Sequence, residues 1–272
     1  MFIRVAEGRA PVVREIRAAA PLLAGLTAPT TARGPWLTAA LGAAPAPRVR
    51  HRAVVVEHHR QGRPAGLALV TSRRELRRGL PTTVVRLLGE GGPPGPPGPA
   101  PRRLPAASPE VAELLADGLV DLLAAVRGPW ELSLTGLPMG DPVLRALSAR
   151  LGTGSRFRTV RARGLVDHLD DLGEVTRSTD PVALERWLPV FLDHRPAGAR
   201  LVDLRALARV HAATGVLEHA VVRSAGRPVG GLLTLLEGPV RLPWWGFGDV
   251  VAGTAPGPPH VSLGAASWTV SP

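Results

Sequence analysis

Short apolar runs, broken by glycine and proline, recur along the chain. Residues 216–249 hold three such runs, beginning at Val216, Gly231 and Pro239 and joined through Gly226-Arg-Pro-Val-Gly230 and Glu237-Gly238. The runs are short and partly β-branched, which predicts strands, and the Gly and Pro between them supply the backbone angles of tight turns. The same device occurs earlier. Residues 53–70 read as strand, turn and strand around Gly62-Arg-Pro-Ala-Gly66, and Thr82–Leu88 adds a third strand. Two copies of a three-strand meander point to two related halves.

Between the meanders the apolar spacing turns helical. Phe2–Glu7 predicts a first strand. Pro11 opens a helix to about Ala24, and Pro35 starts a shorter one bearing Trp36, Leu37 and Leu41. Ser108, followed by Pro109 and Glu110, is a helix start, with Val111, Leu115, Leu119 and Leu122 on the apolar face to about Val126. Trp130–Thr135 alternates as a strand. Asp141-Pro142 caps a helix to about Leu151, and Phe157–Val160 forms another strand. The first half thus reads β-α-α-β-β-β-loop-α-β-α-β. In the second half, Asp180-Pro181 opens a helix that Pro189 is expected to kink or split. Asp203–Ala213 is a further helix, and one more is expected to begin near Pro258.

The stretch 89–105 is rich in Pro and Gly and predicts a loop or polyproline II segment; its Gly-Pro-Pro triplets are too few for collagen. Residues 161–180 form an Asp-rich connector whose spacing does not match a calcium loop.

Composition narrows the function. The chain has 272 residues, 45% of them hydrophobic, enough to bury one or two cores. No apolar run nears the roughly 20 residues that span a bilayer. A charge interrupts the N-terminal apolar stretch, so no signal peptide is read there and a cytoplasmic location is expected. Cysteine is absent, which excludes disulfides and thiolate chemistry. The net charge is +11, and all 33 basic residues are arginine. Scattered arginine without interleaved aromatics, in a chain dominated by Ala, Gly, Pro and Arg, fits codon bias and a solvated surface better than nucleic-acid binding. The densest cluster, Arg73 to Arg78, is read as a loop or short turn.

The residues able to carry chemistry lie mostly in the second half. Asp193-His194-Arg195 ends one helix and His211 lies on the next, so His194 and His211 are candidates for substrate binding or general-base work; surface polar residues at helix ends are the competing reading. Asp249 ends the third strand of the second meander as a candidate acid; a turn cap is the competing reading. Trp244 and Trp245 are candidate walls of a substrate pocket, against core packing. No metal set is assigned: His58-His59 are adjacent in an extended segment and face opposite ways.

Two helices, a three-strand meander and a loop into a helix are also the order of the GNAT acyltransferase core. The sequence resembles the tandem-GNAT group that contains FemAB-like and BioF2-like (CelD-type) acetyltransferases. The resemblance is carried by Arg86-Leu-Leu-Gly-Glu90, Trp130-Glu-Leu-Ser-Leu-Thr-Gly-Leu-Pro138, Phe191-Leu-Asp-His-Arg195, Gly226-Arg-Pro-Val-Gly-Gly231 and Trp245-Gly-Phe-Gly-Asp249. It implies an α/β (α+β) fold of two GNAT-like halves, 1–160 and 161–272, each a mostly antiparallel mixed sheet flanked by helices, the second incomplete. It implies N-acyl transfer from acetyl-CoA or another acyl-CoA to a small-molecule or peptide amine, without a metal. The pantetheine would lie between two splayed strands, with the pyrophosphate at the next helix N-terminus. In the second half that places the donor along Gly246, Phe247, Gly248, Gly253 and Gly257, with Arg195, Trp244 and Trp245 at the acceptor. In the first half the slot is 89–105, whose prolines lack N–H donors. An incomplete second sheet leaves an edge open to homodimerisation. Two other classes stand beside the enzyme: a non-catalytic GNAT-like partner module, and an arginine-mediated polyanion binder.

Overall fold

The computed structural model describes residues 1–25, 30–43, 49–90, 102–195, 201–248 and 254–267. The first half follows the predicted order, except that the first predicted helix is divided at Ala19 into two: β1 (Phe2–Glu7), α1 (Arg9–Ala18), α2 (Ala20–Gly25), α3 (Gly34–Ala43), β2 (Arg50–Glu57), β3 (Pro64–Arg77), β4 (Leu80–Leu87), α4 (Pro109–Ala124), β5 (Trp130–Leu137), α5 (Pro142–Leu151) and β6 (Ser155–Leu165). Then come β7 (Val175–Ser178), α6 (Pro181–Asp193), α7 (Leu201–Ala213), β8 (Leu217–Ser224), β9 (Arg227–Glu237), β10 (Val240–Phe247) and β11 (Thr254–Ser267). The fold is mixed α/β, with helices on a seven-stranded mixed sheet and beside a four-stranded antiparallel one.

The large sheet runs β1-β2-β3-β4-β5-β11-β6, and β4 and β5 are parallel neighbours. The small sheet runs β10-β9-β8-β7. Both predicted meanders are present, as β2-β3-β4 and β8-β9-β10.

Side chains alternate across the large sheet, so each face has its own core. One face lies under α4 and α5, with Val54, Val56, Ala68, Val70, Leu132 and Leu134 buried there. Helix α4 comes close because Gly118 faces the sheet; a Cβ there would lie 2.6 Å from Val54. The other face packs Val55, Leu67 and Leu69 against α1 and α3. Those helices also meet α6, α7 and the small sheet, so one core holds Ile16, Trp36, Phe191, Leu204 and Trp244 together.

The caps behave as the sequence predicts. Ser108 accepts from the Val111 N–H, Asp141 from Val143 and Leu144, and Asp180 from Val182.

Several expectations need correction. The segment after Pro258 is strand β11, not a helix. It enters the large sheet between β5 and β6. Pro256 and Pro259 pair only with β6 and flank a register shift, where a missing N–H is tolerated; pairing with β5 starts at Val261. The Arg73–Arg78 cluster is not a loop. Most of it forms the end of β3, and only Arg78-Gly79 turns, with both residues at positive φ. Pro189 sits inside a continuous α6. The Asp-rich connector contains a short strand, β7. Among the described residues no helix is long and apolar enough to cross a membrane, and no group of three or more His, Asp or Glu could hold a metal.

Candidate functional site

The second-half residues come together mainly as packing. Trp36 stacks on His211 at 5.0 Å, His211 meets Trp244 edge-on at 5.7 Å, and Trp244 meets Trp245 at 4.9 Å. Trp245 continues to Phe191, Phe191 to Phe247, and Phe247 to His194. Trp244 and Trp245 are only 1% and 2% exposed, so they build the shared core rather than a pocket wall. His211 is fully enclosed, and neither ring nitrogen has a hydrogen-bond partner among the described residues. Burial pushes its pKa down to about 4, so the ring is neutral and shut off from solvent.

His194 is the exposed end of this series. Its Nδ1 lies 2.9 Å from the Val190 carbonyl, which leaves Nε2 as the other ring nitrogen. Arg195 Nη1 lies 3.5 Å from the Leu192 carbonyl at the same helix end. Gly246 is a close-approach glycine: a Cβ there would lie 2.3 Å from the Gly231 carbonyl oxygen. Phe247 is buried, and Gly248 takes positive φ against Val229. Gly257 lies in β11, within the shift between Pro256 and Pro259. Asp249 and Gly253 lie outside the described residues. Among the described residues the element after β10 is strand β11, and none of them forms the helix N-terminus expected at the donor phosphates there.

The first half holds a different arrangement. Strands β4 and β5 pair in parallel from Thr83↔Trp130 to Arg86↔Ser133. Beyond that point β4 is interrupted and then resumes. Leu88 donates to Leu69 of β3, Leu67 donates to Pro105, Ala106 bridges Gly66, and Ala107 donates to Ala65. Residues 104–107 therefore continue β4 in direction and in register, with 89–103 inserted. The alternation of faces continues too: Leu88 points into the α1/α3 core and Leu104 into the α4/α5 core.

The inserted segment returns to the parting strands. Arg102 N–H donates to the Gly136 carbonyl of β5 at 2.8 Å. Glu90 reaches across to β5, where its Oε1 accepts from Ser133 Oγ at 2.9 Å. Its Oε2 is enclosed and has no hydrogen-bond partner among the described residues. Burial pushes the Glu90 carboxyl above the usual carboxylate range, against the opposing pull of the Arg102 charge and the Ser133 and Thr135 hydroxyls. A titrating carboxyl beside hydroxyls, at the mouth between two parallel strands, can move a proton.

Next to it, Leu37, Leu69, Leu88, Arg102 and Pro105 line a cavity of about 30 Å³. That is room for one or two waters, not for a pantetheine arm. The fit for a coenzyme A thioester is divided. The parted strands and the exposed Arg103 suit it. The Arg102–Gly136 bond occupies the β5 edge, and at the N-terminus of α4 Ser108 takes up the Val111 amide while Pro109 offers none.

Sequence reasoning passed over Glu90, although it closes the Arg86–Glu90 run that carries the resemblance. The signal was an acid directly after a predicted strand; the burial that raises its pKa is not visible in that run.

No family model and no curated protein matches the sequence. Among solved structures, the chain is similar to a tandem GNAT protein from the clavulanic acid biosynthesis pathway, determined without AcCoA: 14% identity, 100% of this chain and 99% of the other, TM-score 0.40. It is also similar to a conserved protein of unknown function from Enterococcus faecalis V583: 12% identity, 88% and 56% coverage, TM-score 0.27. A third is a GCN5-related N-acetyltransferase-like protein from Streptococcus suis: 15% identity, 84% and 71% coverage, TM-score 0.25. At these scores the architecture rests on the strand order that the chain itself carries.

Proposed function

We propose that the chain is a GNAT-type N-acyltransferase that transfers an acyl group from an acyl-CoA to an amine, with Glu90 as the proton acceptor. The observation that carries this reading is the parallel β4–β5 pair parting at a buried carboxyl with a raised pKa. An acyl thioester supplies the acyl group. The chain supplies a half-buried carboxylate whose pKa burial raises, and hydroxyls from Ser133 and Thr135 beside it. A base that must be deprotonated gives a rate that rises with pH through its raised pKa.

Calorimetric titration with acetyl-CoA and longer acyl-CoAs, followed by an amine screen, tests the reading. Binding in the micromolar range is expected. Glu90→Gln keeps a hydrogen-bond acceptor for Ser133 yet lowers kcat/KM about 10²- to 10⁴-fold and abolishes the rising pH limb. Absence of binding and of transfer in folded protein overturns it. The Arg102–Gly136 bond favours the second reading, a non-catalytic GNAT-like module whose donor gap is closed by its own chain. That reading expects no acyl-CoA binding by the full chain.

A further inference from the structure

Beside Glu90 the large sheet turns an unusual face outward. On β5, β11 and β6 the residues facing α4 and α5 are apolar: Leu132, Leu134, Leu263 and Ala265 are buried there. The opposite face is polar. Register places Ser133 beside Gly264 and Gly264 beside Arg156, so these three point the same way. Arg158 pairs with Ser262 and shares that face by alternation. Ser133, Thr135 and Ser262 are half-buried, and Arg156 and Arg158 are exposed. Strand β10 of the small sheet lies alongside β6.

The two arginines differ from most of those around them. Arg86 and Arg77 are held by Glu75, Arg150 by Asp117 and Glu113, Arg177 by Asp167, and Arg241 by Glu218. Arg156 and Arg158 have no carboxylate partner among the described residues. Among the described residues of β5, β11 and β6 the one acid on this face is Glu131, which lies 3.7 Å from Arg77. A half-buried row of hydroxyls ending in two unpaired guanidinium groups suits a carboxylate, which arginine grips through two parallel hydrogen bonds.

We propose that this face is the acceptor subsite, and that the acceptor is a small amine carrying a carboxylate. The proposal rests on the acyl-transfer reading and adds the substrate class. The amine lies at Glu90 and the carboxylate at Arg156 and Arg158. Two strand spacings, about 10 Å, separate the Ser133 and Arg156 columns, and arginine reach shortens that span. An extended peptide covers about 3.3–3.6 Å per residue, so a dipeptide or tripeptide matches.

The test compares diglycine and triglycine as free acids and as C-terminal amides, by calorimetry on the full chain at pH 7.5. The free acids bind at least tenfold tighter than the amides in the wild type. The double variant R156Q/R158Q removes that difference, and R158Q alone reduces it at least threefold. Equal binding of acid and amide, no binding of either, or discrimination that survives in the double variant overturns the subsite. Edge-strand arginines also guard against sheet-to-sheet pairing. That role alone gives aggregation in the variants while R158Q keeps full discrimination, which also overturns it. The donor is scored separately: no acetyl-CoA binding with acid-over-amide preference intact removes the acyl-CoA reading and leaves the carboxylate subsite standing.

Discussion

Deleting residues 89–103 and joining Leu88 directly to Leu104 gives a chain that folds to the same seven-stranded sheet. The register requires it. Leu88 already pairs at Leu69, and Pro105 already receives the Leu67 N–H, so one residue between them completes β4. Faces are preserved, because Leu88 and Leu104 point to opposite cores as neighbours in a strand must. Removing the insertion relieves a loop-closure cost of about 2 kcal/mol and gives up the Glu90–Ser133 and Arg102–Gly136 bonds, each worth about 1 kcal/mol net. The melting temperature therefore stays within a few degrees of the wild type. An aggregated or molten product would show that 104–107 does not continue β4.

The functional consequences run in opposite directions. Without Arg102 the edge of β5 at Gly136 is free, and acetyl-CoA affinity rises at least tenfold. Without Glu90 the base is gone, and transfer falls about 10²- to 10⁴-fold. Calorimetry and a thiol-release assay on the same sample read both. Tighter donor binding with lost turnover separates the gap from the base, whereas unchanged affinity shows that the insertion does not restrict the donor.

Replacing His211 by Phe stabilises the protein and flattens its stability between pH 6.5 and 4. The wild-type ring is enclosed between Trp36 and Trp244, and both nitrogens are unpartnered. Burial alone lowers its pKa from 6.5 to about 4. The unfolded chain protonates this histidine near pH 6.5 while the folded chain does not, so acid favours unfolding. The loss starts as pH falls below 6.5 and is complete near pH 4, at about 3 kcal/mol for a shift of that size. Phenylalanine keeps the stacking and removes two buried polar atoms, which is worth about 1–3 kcal/mol at pH 7. Urea melts of both proteins at pH 7, 6, 5 and 4.5 check it. Because other groups titrate equally in both, the difference between the curves carries the result; parallel curves would mean that the ring is protonated or hydrated in the fold.

His211 also shows how far the site could be read ahead of the structure. Its place on a helix before the second meander was legible from spacing. Its enclosure by Trp36, far away in sequence, was not, and enclosure turns a candidate base into a packed ring. Glu90 is the converse case. As the acid after β4 it looked like part of a loop, and only the return of β5 beside it supplies the burial that raises its pKa.

What the sequence determined by itself was local. The Gly-Arg-Pro turns, the Ser108, Asp141 and Asp180 caps and the two hydrophobic periods place nearly every helix and strand, because those signals act within a few residues. Strand order was settled only by the tertiary structure. Thr254–Ser267 begins with prolines that suit a helix start, yet it lies between β5 and β6, where its apolar residues fill the core under α4 and α5. Burying that face outweighs local propensity, and the partners that bury it lie about a hundred residues or more upstream, beyond the reach of any local pattern.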